Sequence, residues 1–104
     1  MAKRKKDSPQ AQEQAQQLQT MIRSRGDYEH IRVRPRAGHL VIECEEKLGT
    51  HPVARLTPLG GGQFGLSYCN HTGKWEPMPF SGPMPQVVED MISALAPYLA
   101  RYDL

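Results

Sequence analysis

Three arginines at alternate positions are the residues of this sequence whose type and spacing best suit a chemistry. Arg32, Arg34 and Arg36 occupy every second position, which would set their side chains about 6.6–7 Å apart on one face of a strand. Phosphates of an extended nucleic-acid strand are similarly spaced, so the three guanidiniums could follow a phosphate backbone without reading its sequence. We expect the second and third arginines to make the stronger contacts, because they lie farthest from Glu43 and Glu45 in the following strand.

A second interpretation of the same arginines needs no ligand. Glu43 and Glu45 share the predicted face and would lie beside His30 or Arg32 in a hairpin. Opposite charges at such positions form solvated cross-strand ion pairs, which contribute little to stability. The arginine stripe could therefore be an ordinary polar sheet face.

The distribution of charge along the chain supports a polyanionic partner. Nine of the thirteen Lys and Arg residues lie in the first 36 positions with four acidic residues, a formal charge of +5, whereas the remainder is −3. A concentrated positive field attracts phosphate backbones or acidic protein surfaces. The predicted nucleic-acid contacts are Lys3, Arg4, Lys5, Lys6, Arg23, Arg25, Arg32, Arg34 and Arg36.

Cysteine and histidine residues offer a metal interpretation that their spacing does not favour. Cys69 and His71 could combine with Cys44, His39 or His51, but no pair of ligands has the short repeated spacing typical of zinc sites. We therefore predict no metal ion and no other cofactor.

Catalytic motifs are equally weak. Residues 60–62 are three glycines, but no helix and no Lys-Ser/Thr pair follow them as in a phosphate-binding loop, so they predict a hairpin turn. Ser67 and Ser81 have no nucleophile-elbow sequence around them. We predict that the protein is not an enzyme.

Tyr68 and Trp75 are the aromatic pair of interest. An even-numbered turn between them would place them opposite each other, on the same face as Phe64 and Leu66. Core packing is then the favoured interpretation. The alternative is a base-stacking platform, since single-stranded nucleic acids bind where aromatic groups alternate with positive charge on a sheet.

Alternation of apolar residues predicts the strands. A turn at residues 37–38 joins the first two, and a loop of two or four residues would keep one apolar set on the same face, namely Ile31, Val33, Leu40 and Ile42. Pro35 lacks an N–H group, so we expect the first strand to lie at an edge of the sheet. Further strands are predicted over 51–59, 64–69 and 74–76, after which prolines end the sheet at Pro77, Pro79, Pro83 and Pro85.

One helix is predicted at each end of the chain. Residues 10–25 carry a narrow apolar stripe flanked by glutamines, which we interpret as a loosely docked surface helix or, alternatively, a helix that pairs with a partner. The second helix begins near Val87, has the widest apolar face in the sequence, and should cover the sheet. Pro97 predicts a kink or break in it.

The sequence thus predicts an α+β fold: an N-terminal helix, an antiparallel sheet of about four to five strands, and a C-terminal helix packed on one sheet face. Residues 1–7 should be a disordered basic tail and residues 8–104 a single domain. The predicted function is non-enzymatic binding of nucleic acid, single-stranded or without sequence preference, through the basic N-terminal third.

The alternative is a protein-binding adaptor or inhibitor-like subunit. It would dock on an acidic protein surface or dimerise, through the Gln-rich helix or through the Pro-rich segment at residues 75–80. With no membrane span and no export signal in the sequence, we expect no membrane partner and a cytoplasmic location, or a nuclear one if the source is eukaryotic.

Overall fold

The computed structural model describes residues 9–47 and 49–100. Its elements are α1 (Pro9–Arg23), β1 (Ile31–Arg36), β2 (His39–Glu46), β3 (Gly49–Gly60), β4 (Gln63–Cys69), β5 (Trp75–Pro83) and α2 (Met84–Leu99). The five strands form one antiparallel sheet in the order β1-β2-β3-β4-β5. The α+β prediction is confirmed, and the predicted basic tail lies outside the described residues.

A two-residue turn sets the register of the first hairpin. Ala37 has φ 52° and Gly38 has φ 84°, and positive φ at both central positions is the signature of a type I′ turn, whose twist matches that of the flanking strands. Arg36 therefore pairs with His39. The same register runs to the far end of the hairpin and places the apolar residues of β1 and β2 on one face, as predicted.

Both helices pack on that apolar face. A single core cluster contains residues from α1, from α2 and from alternate positions of the strands. Three residues of the α1 stripe are buried, Ala15, Leu18 and Ile22, the last two at 0% exposure, so the interpretation of α1 as a loosely docked surface helix was wrong. α1 also bonds to the edge strand, where Gln19 Oε1 accepts a 2.9 Å hydrogen bond from the Val33 amide.

The turn between β4 and β5 has five residues and not an even number. Asn70 organises it, since its Oδ1 accepts hydrogen bonds from the Thr72 amide at 2.9 Å and the Lys74 amide at 3.0 Å. Cys69 consequently pairs with Trp75. The predicted Tyr68–Trp75 pair is therefore wrong, and the odd turn sends the indole to the face opposite the core.

The strand β5 is longer than predicted, because prolines 77, 79 and 83 lie within it. This strand is at an edge and pairs only with β4, so backbone positions without an N–H group are tolerated on its outer side. The ladder is irregular between Gly65 and Ser67, which accommodates the extra β5 residues. β1, which contains Pro35, lies at the other edge as predicted.

His30 does not belong to the arginine face. It precedes β1, is 4% exposed, and its Nε2 lies 2.6 Å from the Leu99 carbonyl oxygen. A carbonyl oxygen can only accept, so Nε2 carries the hydrogen and donates it. This bond joins the end of α2 to the start of the sheet.

The predicted irregularity of α2 is confirmed at Leu95, which has non-helical angles of φ −117° and ψ 21° two residues before Pro97. Its side chain nevertheless reaches the core and is 3% exposed. Among the described residues, neither helix is long and apolar enough to span a membrane.

Ala37→Asn should stabilise the protein by about 0.5–1 kcal/mol, because asparagine tolerates left-handed backbone better than alanine does. Urea denaturation measures the change. Ala37→Val at the same exposed position should instead destabilise, since a β-branched residue is strained at positive φ. Equal stability of the two variants would contradict the turn assignment.

Leu95→Ala should lower the free energy of unfolding by about 2–5 kcal/mol, as expected for a buried large-to-small change. Leu59→Ala is the matched control, because that leucine is 58% exposed and its truncation should stay within about 0.5 kcal/mol. Similar losses in the two variants, measured by denaturant unfolding, would contradict the packing of α2 on the sheet.

Candidate nucleic-acid interface

The sheet face opposite the helices carries a cluster of charged side chains. Strand alternation and register place mainly polar side chains on this face, which we call the open face. Its central side chains are Arg32, Arg34, Arg36, His39, Val41, Glu43, Arg55, Thr57 and Trp75. Val41 is 7% exposed but does not belong to the core cluster. The long side chains of the open face therefore cover it, as arginine stems do on apolar surface.

Two of the predicted arginines are held by cross-strand carboxylates. Arg32 Nε lies 3.3 Å from Glu45 Oε2, and Arg34 Nε lies 3.0 Å from Glu43 Oε2. Glu43 is opposite Arg32 in the register, yet its carboxylate reaches diagonally to the next arginine. The expectation that Arg34 is far from the acidic residues is thus wrong.

Arg36 differs from its two neighbours. It is exposed at the end of β1, and its side chain has no hydrogen-bond or ion-pair partner among residues 9–47 and 49–100. The register sets it directly beside His39. Of the three arginines in the stripe, this one is most available to an external anion.

Arg55 at the centre of the open face was not predicted as a site residue. Its Cζ lies 4.7 Å from the centroid of the Trp75 ring, a cation–π arrangement. The Arg55–Trp75 contact passes over β4 at Ser67, the register partner of Arg55. The small serine side chain leaves room for the two larger side chains to meet. The Nε atom of Arg55 is buried and has no hydrogen-bond partner in the part of the chain that the structure describes. In β3 the residues alternate between the two faces of the sheet, and Arg55 lies on the polar face while Leu56 lies on the apolar one. This alternation was the sequence signal that could have identified Arg55.

His39 adds a titratable group to this cationic cluster. Its Nδ1 lies 2.8 Å from Thr57 Oγ1. Burial, and secondly the positive charge of Arg55, lower the pKa of His39 below its usual 6.5. The imidazole is therefore neutral at pH 7, and a nearby anion would favour its protonation.

The other predicted basic contacts lie elsewhere. Arg23 Nε donates a 3.1 Å hydrogen bond to the Ile31 carbonyl oxygen, and Arg25 forms an ion pair with Glu89 of α2. Both arginines connect α1 to neighbouring elements, so the structure does not bring them onto the open face. The basic residues 3–6 fall outside the described residues.

The outer part of the open face, over β3 to β5, is more apolar. A groove of about 490 Å³ is lined there by Thr57, Leu59, Gly65, Leu66, Ser67, Pro77, Met78, Pro79, Phe80 and Ser81. The Leu59 side chain lies over Gly65, where a β-carbon would be 3.6 Å from it. The open face thus has a charged part and an adjoining apolar part.

Tyr68 lies on the helix side of the sheet, partly packed against the core. Its hydroxyl donates a 3.2 Å hydrogen bond to Glu76 Oε1, and this bond to a carboxylate raises the pKa of Tyr68. The tyrosine also lines a cavity of about 520 Å³, with His51, Pro52, Val53, Cys69, Asn70, His71, Gly73 and Tyr98. A stacking platform made of both aromatic residues is therefore excluded, and only Trp75 is on the open face.

Comparison of the chain with protein-family models, with curated proteins and with solved structures finds no match. The functional argument consequently depends on the geometry of the open face itself.

Proposed function

We propose that the protein binds single-stranded nucleic acid on the open face, with phosphates contacting Arg36 and Arg55 and a base stacking beside Trp75. The observation that carries this proposal is the Arg55 guanidinium, which lies on an indole ring and lacks an acceptor among the described residues. A guanidinium with no carboxylate or carbonyl partner need not give up an acceptor before it binds an anion, and phosphate oxygens are strong acceptors for arginine.

The combination of groups favours nucleic acid over a simple inorganic anion. Proteins that bind single strands without sequence preference place aromatic rings among positive charges on an accessible sheet. Here the indole, two arginines whose guanidiniums have no hydrogen-bond acceptor among the described residues, and a histidine with a lowered pKa share one sheet face. The adjoining apolar groove provides a surface for further bases.

The two paired arginines have a smaller part in the proposal. Arg32 and Arg34 are 57% and 54% exposed at their side chains, so a phosphate could reach them. It would have to compete with Glu45 and Glu43, and an exchange of one anionic partner for another yields little net free energy. Their contribution is therefore mainly to the field that attracts the strand.

The apolar groove favours one alternative, a protein-binding adaptor. Leu59 is 58% exposed beside it, and the groove includes prolines of the Pro-rich segment. Binding of a protein there would depend on apolar contact and change little with salt, whereas binding of a polyanion weakens steeply as salt rises.

The double variant Arg36→Gln/Arg55→Gln should weaken binding to a fluorescent oligothymidylate and reduce the slope of log K against log salt by about 0.7 per lost contact. Fluorescence anisotropy over a salt series measures both quantities. Lys47→Gln is the matched control, because this exposed lysine follows β2 at the end remote from Arg36.

A second variant separates stacking from charge. Trp75→Leu should weaken binding by about 1–3 kcal/mol per stacked base with an unchanged salt slope. Tyr68→Leu, on the helix side, should leave affinity unchanged. An unaltered slope in the double arginine variant, with its thermal unfolding intact, would reject the proposal in favour of the protein-binding adaptor.

Binding of the oligonucleotide should also raise the pKa of His39, because a neighbouring phosphate stabilises the imidazolium. By linkage, affinity should increase as the pH falls from the raised pKa of His39 in the complex toward its lowered pKa in the free protein, because the complex holds the proton more tightly over that interval. NMR titration of the histidine rings measures the pKa values. His71, in the exposed β4–β5 turn, is the internal control, and equal shifts at both histidines would contradict a site on the open face.

A further inference from the structure

A second cluster of reactive side chains lies at the end of the β2–β3 hairpin, away from the open-face arginines. One sulfur, one oxygen and one nitrogen atom, from Cys44, Glu46 and His51, lie within 4.8 Å of one another. His51 Nδ1 is 3.7 Å from Glu46 Oε1, and Cys44 Sγ is 3.9 Å from Glu46 Oε2.

The strand geometry explains why these three side chains meet. Cys44 and Glu46 are two residues apart on β2 and therefore share a face. His51 is the direct register partner of Cys44 on β3, and side chains at directly opposite positions have their β-carbons about 4.5–5.5 Å apart. The cluster is thus built on paired strands and not on a flexible loop.

We propose that Cys44, Glu46 and His51 bind a divalent transition-metal ion of the zinc class. Thiolate, carboxylate and imidazole are the ligands that Zn²⁺ accepts, at about 2.3 Å for sulfur and about 2.0–2.2 Å for nitrogen and oxygen. Tetrahedral coordination at those lengths separates ligand atoms by roughly 3.3–3.7 Å. One Glu46 oxygen is near that distance from the His51 nitrogen and the other is near it from the Cys44 sulfur, so side-chain rotations would be needed to bring one oxygen, the nitrogen and the sulfur, now within 4.8 Å of one another, around a single ion.

The donor set also determines which ions are excluded. Ca²⁺ and Mg²⁺ prefer oxygen ligands throughout, whereas a thiolate selects softer ions. As the sulfur–metal bond forms, the Cys44 thiol gives its proton to solvent. Three protein ligands leave a fourth coordination position, and His51 also lines the cavity of about 520 Å³ beside Tyr68 and Tyr98. That cavity provides access for water or another small ligand.

The proposal is independent of nucleic-acid binding. Cys44 belongs to the core cluster on the helix side of the sheet, and the open face is on the other side. Failure of one proposal therefore does not affect the other.

Titration of chelator-treated full-length protein with Co²⁺ and with Zn²⁺ tests the site. Absorption spectroscopy should show stoichiometric Co²⁺ binding with a thiolate-to-cobalt charge-transfer band, and Zn²⁺ should displace the cobalt. The His51 side chain is 51% exposed, so His51→Gln should leave the fold intact. Loss of a residue that only hydrogen-bonds to a metal ligand weakens metal binding by roughly 10–100-fold. Loss of His51 as a ligand should weaken Zn²⁺ binding by more than that.

Matched variants assign the sulfur ligand. Cys44→Ser should abolish the charge-transfer band, and Cys69→Ser, which removes the other cysteine, should keep it. If Cys44→Ser does not fold, the metal affinity of His51→Gln and the charge-transfer band of Cys69→Ser are sufficient to test the proposed site. Absence of stoichiometric binding, unchanged affinity in His51→Gln, or a band that depends on Cys69 would each overturn the proposal.

Discussion

Burial of only one face of the sheet is the constraint on which the other features of this structure depend. Both helices contribute to one core cluster, and alternate strand residues must supply the matching apolar surface. The type I′ turn at residues 37–38 sets that alternation, because a shift of one residue would exchange the two faces of the hairpin. Everything on the opposite side must then be compatible with water.

That requirement explains the composition of the open face and limits its function. Paired arginines and glutamates keep part of it soluble at little net gain in stability. Arg55 is exceptional, because an aromatic ring takes the place of a carboxylate as its neighbour and its buried Nε has no acceptor among the described residues. Under the proposed function, the Arg55 guanidinium could take a phosphate without losing an existing acceptor, whereas the paired arginines must first give up the carboxylate that they have.

The helix side of the sheet shows how the ends of the fold are secured. His30 donates to the last turn of α2, and Gln19 of α1 bonds to the outer edge of β1. These bonds satisfy backbone groups that the C-terminal end of α2 and the edge of the sheet would otherwise leave unpaired. At the same end of the sheet, strand alternation brings Cys44 and Glu46 to one face, and register brings His51 beside Cys44. The two proposed sites therefore occupy opposite faces of one sheet.

Local rules account for what the sequence by itself determined. Alternation gave the strand positions, the two-residue turn gave the core side of β1 and β2, and the missing N–H of Pro35 placed β1 at an edge. The same kind of argument located the irregularity before Pro97. Each depends on a backbone property within a few residues.

Only the tertiary structure decided the features that join distant residues. The side chain of Asn70 makes its turn five residues long, and this moves Trp75 across the sheet to Arg55. The burial of His30 depends on Leu99, 69 positions away. Diagonal pairing brought Glu43 to Arg34 and not to Arg32. Spacing along the chain encodes none of these contacts, because they arise from turn length, register and side-chain reach after the strands have paired.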